Sequence, residues 1–361
     1  MAKKRTKSGN LPAKATSKRL VPARLLSDLR TLIESTRTGV AQAVNSALVI
    51  LYWQVGHRIR TETLGSKRAT YGQEILSTLS KELVAGYGSG FSVPNLSRMM
   101  RLAEVFPNRE TVAELSRQLG WSHFVEILPL KTDLQREFYA EMCRIERWSV
   151  RTLREKVGGM LFERTALSRK PDELARKELA KLRDEDRLTP DLVFRDPYFL
   201  DFLGLKDTYS EKDLEAAILR EMEQFILELG GGFTFVARQK RIVIDGEDFY
   251  IDLLFYHRKL HRLVALDLKL ERFKAADKGQ MELYLRWLEK YEMEPGEEAP
   301  IGLILCADKR DEQIELLQLD KSGIRVATYL TELPPKKLLE EKLHESARRA
   351  RVELEGRSPE D

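Results

Sequence analysis

Two aspartates and a lysine stand in this chain where apolar strands would not ordinarily carry them. The stretch "VALDLKLERF", residues 264–273, sets Asp267 and Lys269 two apart inside a hydrophobic run. In a strand, side chains at i and i+2 share a face. A carboxylate and an ammonium therefore stand side by side, with Val264, Leu266 and Leu268 on the other face. Fifteen residues before Asp267, "FYIDLLFY" holds Asp252 in mid-strand among apolar neighbours. Burying an unpaired carboxylate is expensive, so Asp252 calls for a partner. Across a hairpin, Asp252 and Asp267 come within reach of one cation. Two carboxylates at bonding distance repel, and a hard divalent cation such as Mg²⁺ or Mn²⁺ relieves that repulsion. Such an ion lowers the pKa of a bound water and neutralises charge growing on a phosphate. Lys269 can then orient the water or stabilise the pentavalent phosphate. The chemistry would be phosphodiester hydrolysis without a covalent intermediate.

Other residues fit around this core. Glu215, on the helix before the sheet, can supply a third carboxylate. Gln280 and Tyr284 are i and i+4, hence on one face of the helix that follows the Asp-x-Lys strand. Gln239 and Lys240, on the first strand of the sheet, can hold the scissile strand or order the site. Each residue also has a plainer reading. A lone Asp-x-Lys in a strand is usually an edge salt bridge. Glu215 lies among Glu211, Glu221 and Glu223 as a solvated helix residue would, and Tyr284 suits a core. His257 and His261 flank a turn, and their spacing makes no zinc pair off a helix.

The elements that must position these residues can be read from periodicity. "EKDLEAAILREMEQFILELGGG" is one amphipathic helix with Leu214, Ile218, Met222, Phe225 and Leu229 on a face, ending in glycines. Strands follow at "FTFVARQKRIVI", "DFYIDLLFY" and "LVALDLKL", joined by turns at Asp245-Gly246-Glu247 and "HRKLHR". A helix "KGQMELYLRWLEKYE", a buried strand "IGLILCA", a helix "DEQIELLQL" and a strand "GIRVATYL" complete the unit. The order α-β-β-β-α-β-α-β describes a mixed sheet flanked by helices, parallel toward its end.

Upstream, residues 20–165 read as an all-helical N-terminal domain. "RLLSDLRTLIESTR" and "QAVNSALVILYWQVGHRIR" are its first two helices. A pattern of aromatic, serine and helix recurs at Phe91, Trp121 and Trp148, which makes Ser92, Ser122 and Ser149 candidate N-caps. Short helices and tight turns suit a helix-turn-helix or winged-helix DNA reader, with Arg98, Arg101 and residues 151–155 as a recognition face. Residues 166–195 read as a charged helical linker, and "DPYFLDFLGL" docks it on the sheet domain, residues 196–335. Residues 336–361 form a charged helix and tail.

The chain has 361 residues, 42% of them hydrophobic, enough for two or three folded domains. No apolar run reaches the roughly 18 residues of a membrane helix, and a signal peptide is not read at the N-terminus. Cys143 and Cys306 form no metal quartet and fit a cytoplasmic protein with reduced thiols. The formal charge of +4 is uneven. Residues 1–19 carry seven basic side chains, Lys3, Lys4 and Arg5 among them, and no acid; residues 151–361 are net acidic. Such a basic, disordered arm attracts nucleic acid by counterion release.

The order Glu215, Asp252, Asp267-x-Lys269 on this topology resembles the PD-(D/E)xK nuclease superfamily. The segments "DPYFLDFLGL", "FILELGGGFTFVARQKRI", "GEDFYIDLLFYHRKLHRLVALDLK", "GQMELYL" and "APIGLILC" resemble its YhcG-type family. "FSVPNLSRMMRLAEVFP" and "LGWSHFVEIL" resemble that family's helical N-terminal domain. The resemblance implies an α+β chain: a helical domain followed by an α/β restriction-endonuclease-like domain with a mixed central sheet. It implies metal ligation by Asp252 and Asp267, catalysis by Lys269, the helix acid at Glu215 and the helix glutamine at Gln280. It further implies Mg²⁺ or Mn²⁺ as cofactor and nucleic acid, DNA foremost, as substrate, in a bacterial repair, defence or mobile-element setting, with two copies pairing as a homodimer. Lys3, Lys4, Arg5, Arg98, Arg101, Gln239, Lys240 and Tyr284 are then the candidate nucleic-acid contacts. Glu271, where a glycine is expected, and Ala275-Ala276-Asp277 depart from the family pattern. The competing reading is a DNA-binding or assembly protein that keeps the nuclease fold without turnover; the intact Asp252, Asp267 and Lys269 argue against it.

Overall fold

The structure, a computed structural model, describes residues 23–64, 69–205 and 208–355. The basic arm with Lys3, Lys4 and Arg5 lies outside the described residues. The first helix, Ala23–Leu64, runs unbroken for 42 residues where the sequence reading divides it in two. Gly39 inside it costs only about 0.5–1 kcal/mol relative to alanine, and no proline stands beside it to stop the helix. Its C-terminal half buries Val49, Tyr52, Trp53 and Ile59 against the helices Val93–Val105 and Arg109–Ser116.

Among the described residues no strand occurs before residue 165, so a winged-helix reader would lack its wing. Of the three candidate caps, Ser149 serves: its Oγ accepts the Thr152 N–H at 3.1 Å. Ser92 occupies a cap position without a side-chain bond, with Pro94 in the first turn. Ser122 lies inside the helix Trp121–Ile127, which Gly120 caps instead; the Gly120 N–H donates to His123 Nδ1 at 3.2 Å.

The stretch 166–195 is not a free linker. Its helix Asp172–Glu185 buries Ala175, Leu179 and Leu182 against the helix Asp133–Glu146. Between them Glu141, 1% exposed, is held by Arg144 at 2.8 Å and Arg183 at 2.7 Å. The last helix, Lys336–Glu355, folds back to bury Leu339 and Leu343 with Met160.

Six strands form one sheet in the order β1-β6-β5-β4-β3-β2: β1 Tyr198–Phe199, β2 Phe233–Ile244, β3 Glu247–His257, β4 Arg262–Arg272, β5 Ile301–Asp308 and β6 Ile324–Leu330. The β2–β3 and β3–β4 pairs are antiparallel, and β4, β5, β6 and β1 run parallel. Five of these strands follow the periodicity; the two-residue β1 falls in the segment read as a dock. The β2–β3 turn has φ of 51° at Asp245 and 86° at Gly246, the left-handed pair that matches strand twist in a two-residue hairpin. The single helix expected before the sheet is broken at Glu221 into Glu211–Arg220 and Met222–Leu229.

A large apolar core runs from Val49 through the helical region to one face of the sheet, ending at Tyr329. A second, with Tyr284 and Leu288 of the helix Ala275–Tyr291, covers the other face. Strand β4 contributes to both, with Val264, Leu266 and Leu268 on the first and Leu263 and Ala265 on the second.

Candidate active site

Strand β4 has one carboxylate in its buried stretch. Asp267 is 3% exposed, and Lys269 Nζ lies 2.8 Å from its Oδ2. The last registered pair of β3 with β4 is Leu253 with Leu266. One step further the ladder ends, and Asp252 stands opposite Asp267. There the Asp252 carboxylate replaces a backbone partner: its Oδ2 accepts the Leu268 N–H at 2.8 Å. The two aspartyl carboxyls also hydrogen-bond each other. Burial and, next, the charge of Asp252 push the Asp267 carboxyl well above the usual carboxylate range, while Lys269 pulls it down. Lys269 is itself raised: burial opposes its charge, but Asp267 beside it prevails. The cluster thus holds two acids for one ammonium.

Gln239 lies between the registered pairs Arg238–Leu253 and Lys240–Ile251. Its φ of 43° is left-handed, a conformation costing roughly 1 kcal/mol for a non-glycine residue. Its Nε2 donates to Asp252 Oδ1 at 3.1 Å and to Glu215 Oε2 at 2.8 Å. The amide therefore ties the helix acid to the strand acid. Glu211, one turn before Glu215, accepts the Leu270 N–H at 3.2 Å and adds negative charge near Lys269. Sequence reasoning left Glu211 among solvated neighbours, although its i, i+4 spacing from Glu215 puts both on one helix face. Behind the site, Tyr329 donates its hydroxyl to the Lys269 carbonyl at 3.4 Å.

The remaining candidates divide. Gln280 donates its amide to the Tyr284 hydroxyl. Tyr284 is 1% exposed, which removes it from the residues able to touch a nucleic acid from the surface; its i+4 spacing gives the face but not the depth. Lys240 turns away from the acids and pairs with Glu292 at 2.8 Å. Arg98 and Arg101 stand on the exposed face of the helix Val93–Val105, bonded to Asn95 and Glu104, both at 2.8 Å. In the 151–155 stretch, Arg151 pairs with Glu155 at 3.0 Å and Arg154 with Glu126 at 2.5 Å. His257 is the buried last residue of β3, and its Nδ1 accepts the Leu260 N–H.

Among the described residues no group of three His, Cys, Asp or Glu side chains is set to hold a metal ion. The Asp252–Asp267 pair nonetheless offers two hard oxygen donors of like charge in contact, the set a divalent magnesium- or manganese-sized cation suits. Glu215 is joined to that pair only through the Gln239 amide.

Residues 191–344 match the family model of the YhcG PDDEXK nuclease domain. Residues 28–164 match that of the DUF1016 N-terminal domain. Over 344 residues the chain is 35% identical to the nuclease candidate YhcG of Escherichia coli (strain K12), covering 86% of this chain and 91% of that protein. Among solved structures, a repair endonuclease from Pyrococcus abyssi is 22% identical with a TM-score of 0.25, over 36% of this chain and 50% of that one. A complex of EndoMS with double-stranded DNA is 21% identical with a TM-score of 0.27, over 36% and 48%. The matches thus span about half the length of those solved chains.

Proposed function

The chain belongs to the YhcG-type PDDEXK nuclease family, and from that premise we propose that it is a metal-dependent DNA endonuclease. The observation that carries the reading is the contact of Asp252 with Asp267, with Lys269 Nζ at 2.8 Å. In this reading Asp252 and Asp267 would hold Mg²⁺ or Mn²⁺, with Glu215 as a further oxygen donor. When bound, the ion would supply Lewis acidity toward a phosphate oxygen and a lowered pKa for a water. Lys269 would place its ammonium where charge grows on the scissile phosphate. Gln239 keeps Asp252 oriented, as partners behind a ligating carboxylate do. Gln280 lies on the helix facing the acids and orders that wall through Tyr284.

The basic segment 1–19 and the exposed Arg98 and Arg101 are the groups we assign to the DNA backbone, which an arm of this charge binds in a salt-dependent way. Two copies would bring one site to each strand of a duplex. On this reading the protein works in the bacterial cytoplasm, with its DNA; among the described residues no helix is long and apolar enough to cross a membrane.

The test is cleavage of linear, supercoiled, single-stranded and branched DNA, and of RNA, with Mg²⁺, Mn²⁺ or EDTA. Cutting is expected with either metal, absent in EDTA, and lost in Asp252→Ala, Asp267→Ala and Lys269→Ala while the fold and DNA affinity persist. Metal-independent cutting, or full activity in Asp267→Ala, would overturn the assignment. Binding of DNA with no cutting under any condition would favour the assembly reading.

A further inference from the structure

The helix Ala23–Leu64 presents an apolar stripe to solvent between Leu29 and Leu51. Leu29, Leu32, Ile33, Val40, Val44, Leu48 and Leu51 are each between 37% and 63% exposed. The opposite side of the same helix, with Ser27, Thr31, Ser35, Thr38 and Gln42, is polar. A stripe at helical spacing on a helix this long ordinarily seeks a partner.

The spacing of the stripe says which partner. Leu29 and Leu51 lie eleven residues either side of Val40. Leu32 and Leu48 lie eight either side, and Ile33 and Ala47 seven; only Val44, four beyond, faces a polar mirror position, Thr36. The apolar pairs are thus placed about Val40 as a surface must be if it is to meet its own copy across a two-fold axis. We propose that a second copy of this chain packs its Ala23–Leu64 helix antiparallel against the first, with the two Val40 side chains at the axis. Leu29 of one copy then meets Leu51 of the other, and Leu32 meets Leu48. Gly39, beside the axis, has nothing within 4 Å of a Cβ position, which leaves room for close helix approach.

Charge agrees with this orientation. Residues 38–56 contain no charged side chain, whereas Arg24, Asp28, Arg30, Glu34 and Arg37 lie before them. Antiparallel packing lays the charged half of one helix beside the uncharged half of the other. Parallel packing would set each charge against its own copy. Covering the seven exposed side chains removes about 600 Å² per copy, or about 1,200 Å² in all, the lower end of the range for a stable specific interface. Residues 1–22 carry only Leu11, Leu20 and Val21 as large aliphatic residues past Met1, fewer than the seven side chains of the stripe. Such pairing is independent of the nuclease reading, because it concerns assembly and is tested without activity.

The experiment uses the full chain in sedimentation equilibrium, with cysteine cross-linking to read the register. Cys143 and Cys306 are both buried, so they give little background. A dimer at micromolar concentration is expected, converting to monomer in Val40→Asp and in Val44→Glu with circular dichroism unchanged. Under oxidation Val40→Cys should cross-link to itself. Leu29→Cys should cross-link to Leu51→Cys in a mixture, but not to itself. A wild-type monomer throughout the micromolar range would overturn the proposal. So would a dimer that survives both charge substitutions, or self-cross-linking of Leu29→Cys, which would mean parallel packing.

Discussion

Replacing Asp267 by asparagine should stabilise the metal-free protein while abolishing cleavage. The asparagine is isosteric and can keep both contacts, its oxygen accepting from Lys269 Nζ and its amide donating to Asp252. What it removes is a charge at a site 3% exposed, where burial first and Asp252 second disfavour the anion. The carboxyl is raised to about 7 from an ordinary 3.8; at about 1.4 kcal/mol for each tenfold change in proton affinity, sparing that charge is worth up to about 4 kcal/mol at pH 8. For a chain of this size that raises Tm by up to about 5 °C. The sign with pH follows from the direction. The folded state holds the Asp267 proton through a range where the unfolded chain has already lost it. Wild type is therefore favoured by this group at low pH and loses that stability as pH rises through the raised folded pKa. The asparagine does not titrate, so the two melting curves should nearly coincide below about pH 4, separate as pH rises and stay apart above about 7. Saturating Mn²⁺ should close the gap: at about 1,000 times Kd it stabilises wild type by about 4.1 kcal/mol and leaves the variant unmoved. Differential scanning fluorimetry across pH, with and without Mn²⁺, reads both effects. A variant less stable than wild type at pH 8 would show that the Asp267–Lys269 pair is a structural salt bridge and would refute the reasoning.

Three further outcomes follow from other parts of the fold. Glu228 accepts from Arg164, from Arg195 at 3.1 Å and from the Phe199 N–H at 2.9 Å. Glu228→Ala strands two buried guanidiniums and should cost about 3–5 kcal/mol in urea denaturation; a loss under about 1 kcal/mol would mean water replaces the carboxylate. Gln239→Ala removes the amide between Glu215 and Asp252 and should weaken metal binding about 10- to 100-fold, measured by Mn²⁺ titration, with little change in Tm; unchanged affinity would count against its positioning role. His257, pushed down to about 4 chiefly by burial, stays neutral in the fold while the unfolded chain charges below about 6.5. Its stability contribution is complete above that pH and falls between about 6.5 and 4, by up to about 3 kcal/mol. His257→Gln should flatten the pH slope in that window, and an unaltered slope would remove His257 as its source.

Much of the site was legible because strands encode faces locally. Asp267 and Lys269 needed only the i, i+2 rule, and Asp252 only its apolar neighbours. What escaped the sequence depended on where distant segments end. The broken ladder at Leu253–Leu266 lets Asp252 take the Leu268 N–H, and no local pattern marks it. The left-handed backbone of Gln239 aims its amide at both acids, yet nothing in "VARQKRI" signals a positive φ. Tyr284 and Lys240 had suitable spacing, but depth and direction depend on the helix Ala275–Tyr291 packed over the sheet. Helix limits misled where one weak breaker was given too much weight, at Gly39, and where none was visible, at Glu221.

The same geometry explains how a strand can carry such a cluster without losing its place. Apolar residues of β4 enter both cores, so its register is fixed from two sides; a one-residue slip would move Asp267 into the face held by Val264, Leu266 and Leu268. The buried acid is a local cost carried by that packing. Asp267 lies one step beyond the last β3–β4 pair, where Asp252 can open toward a ligand without breaking the ladder, while β5 still supports β4 from its other edge at Asp267 and Lys269. A substitution that loosens β5, such as Cys306→Ser opposite Lys269 in the parallel register, should therefore lower cleavage in parallel with stability. Asp267→Asn should instead uncouple the two, and comparing the variants separates a misplaced strand from a missing carboxylate.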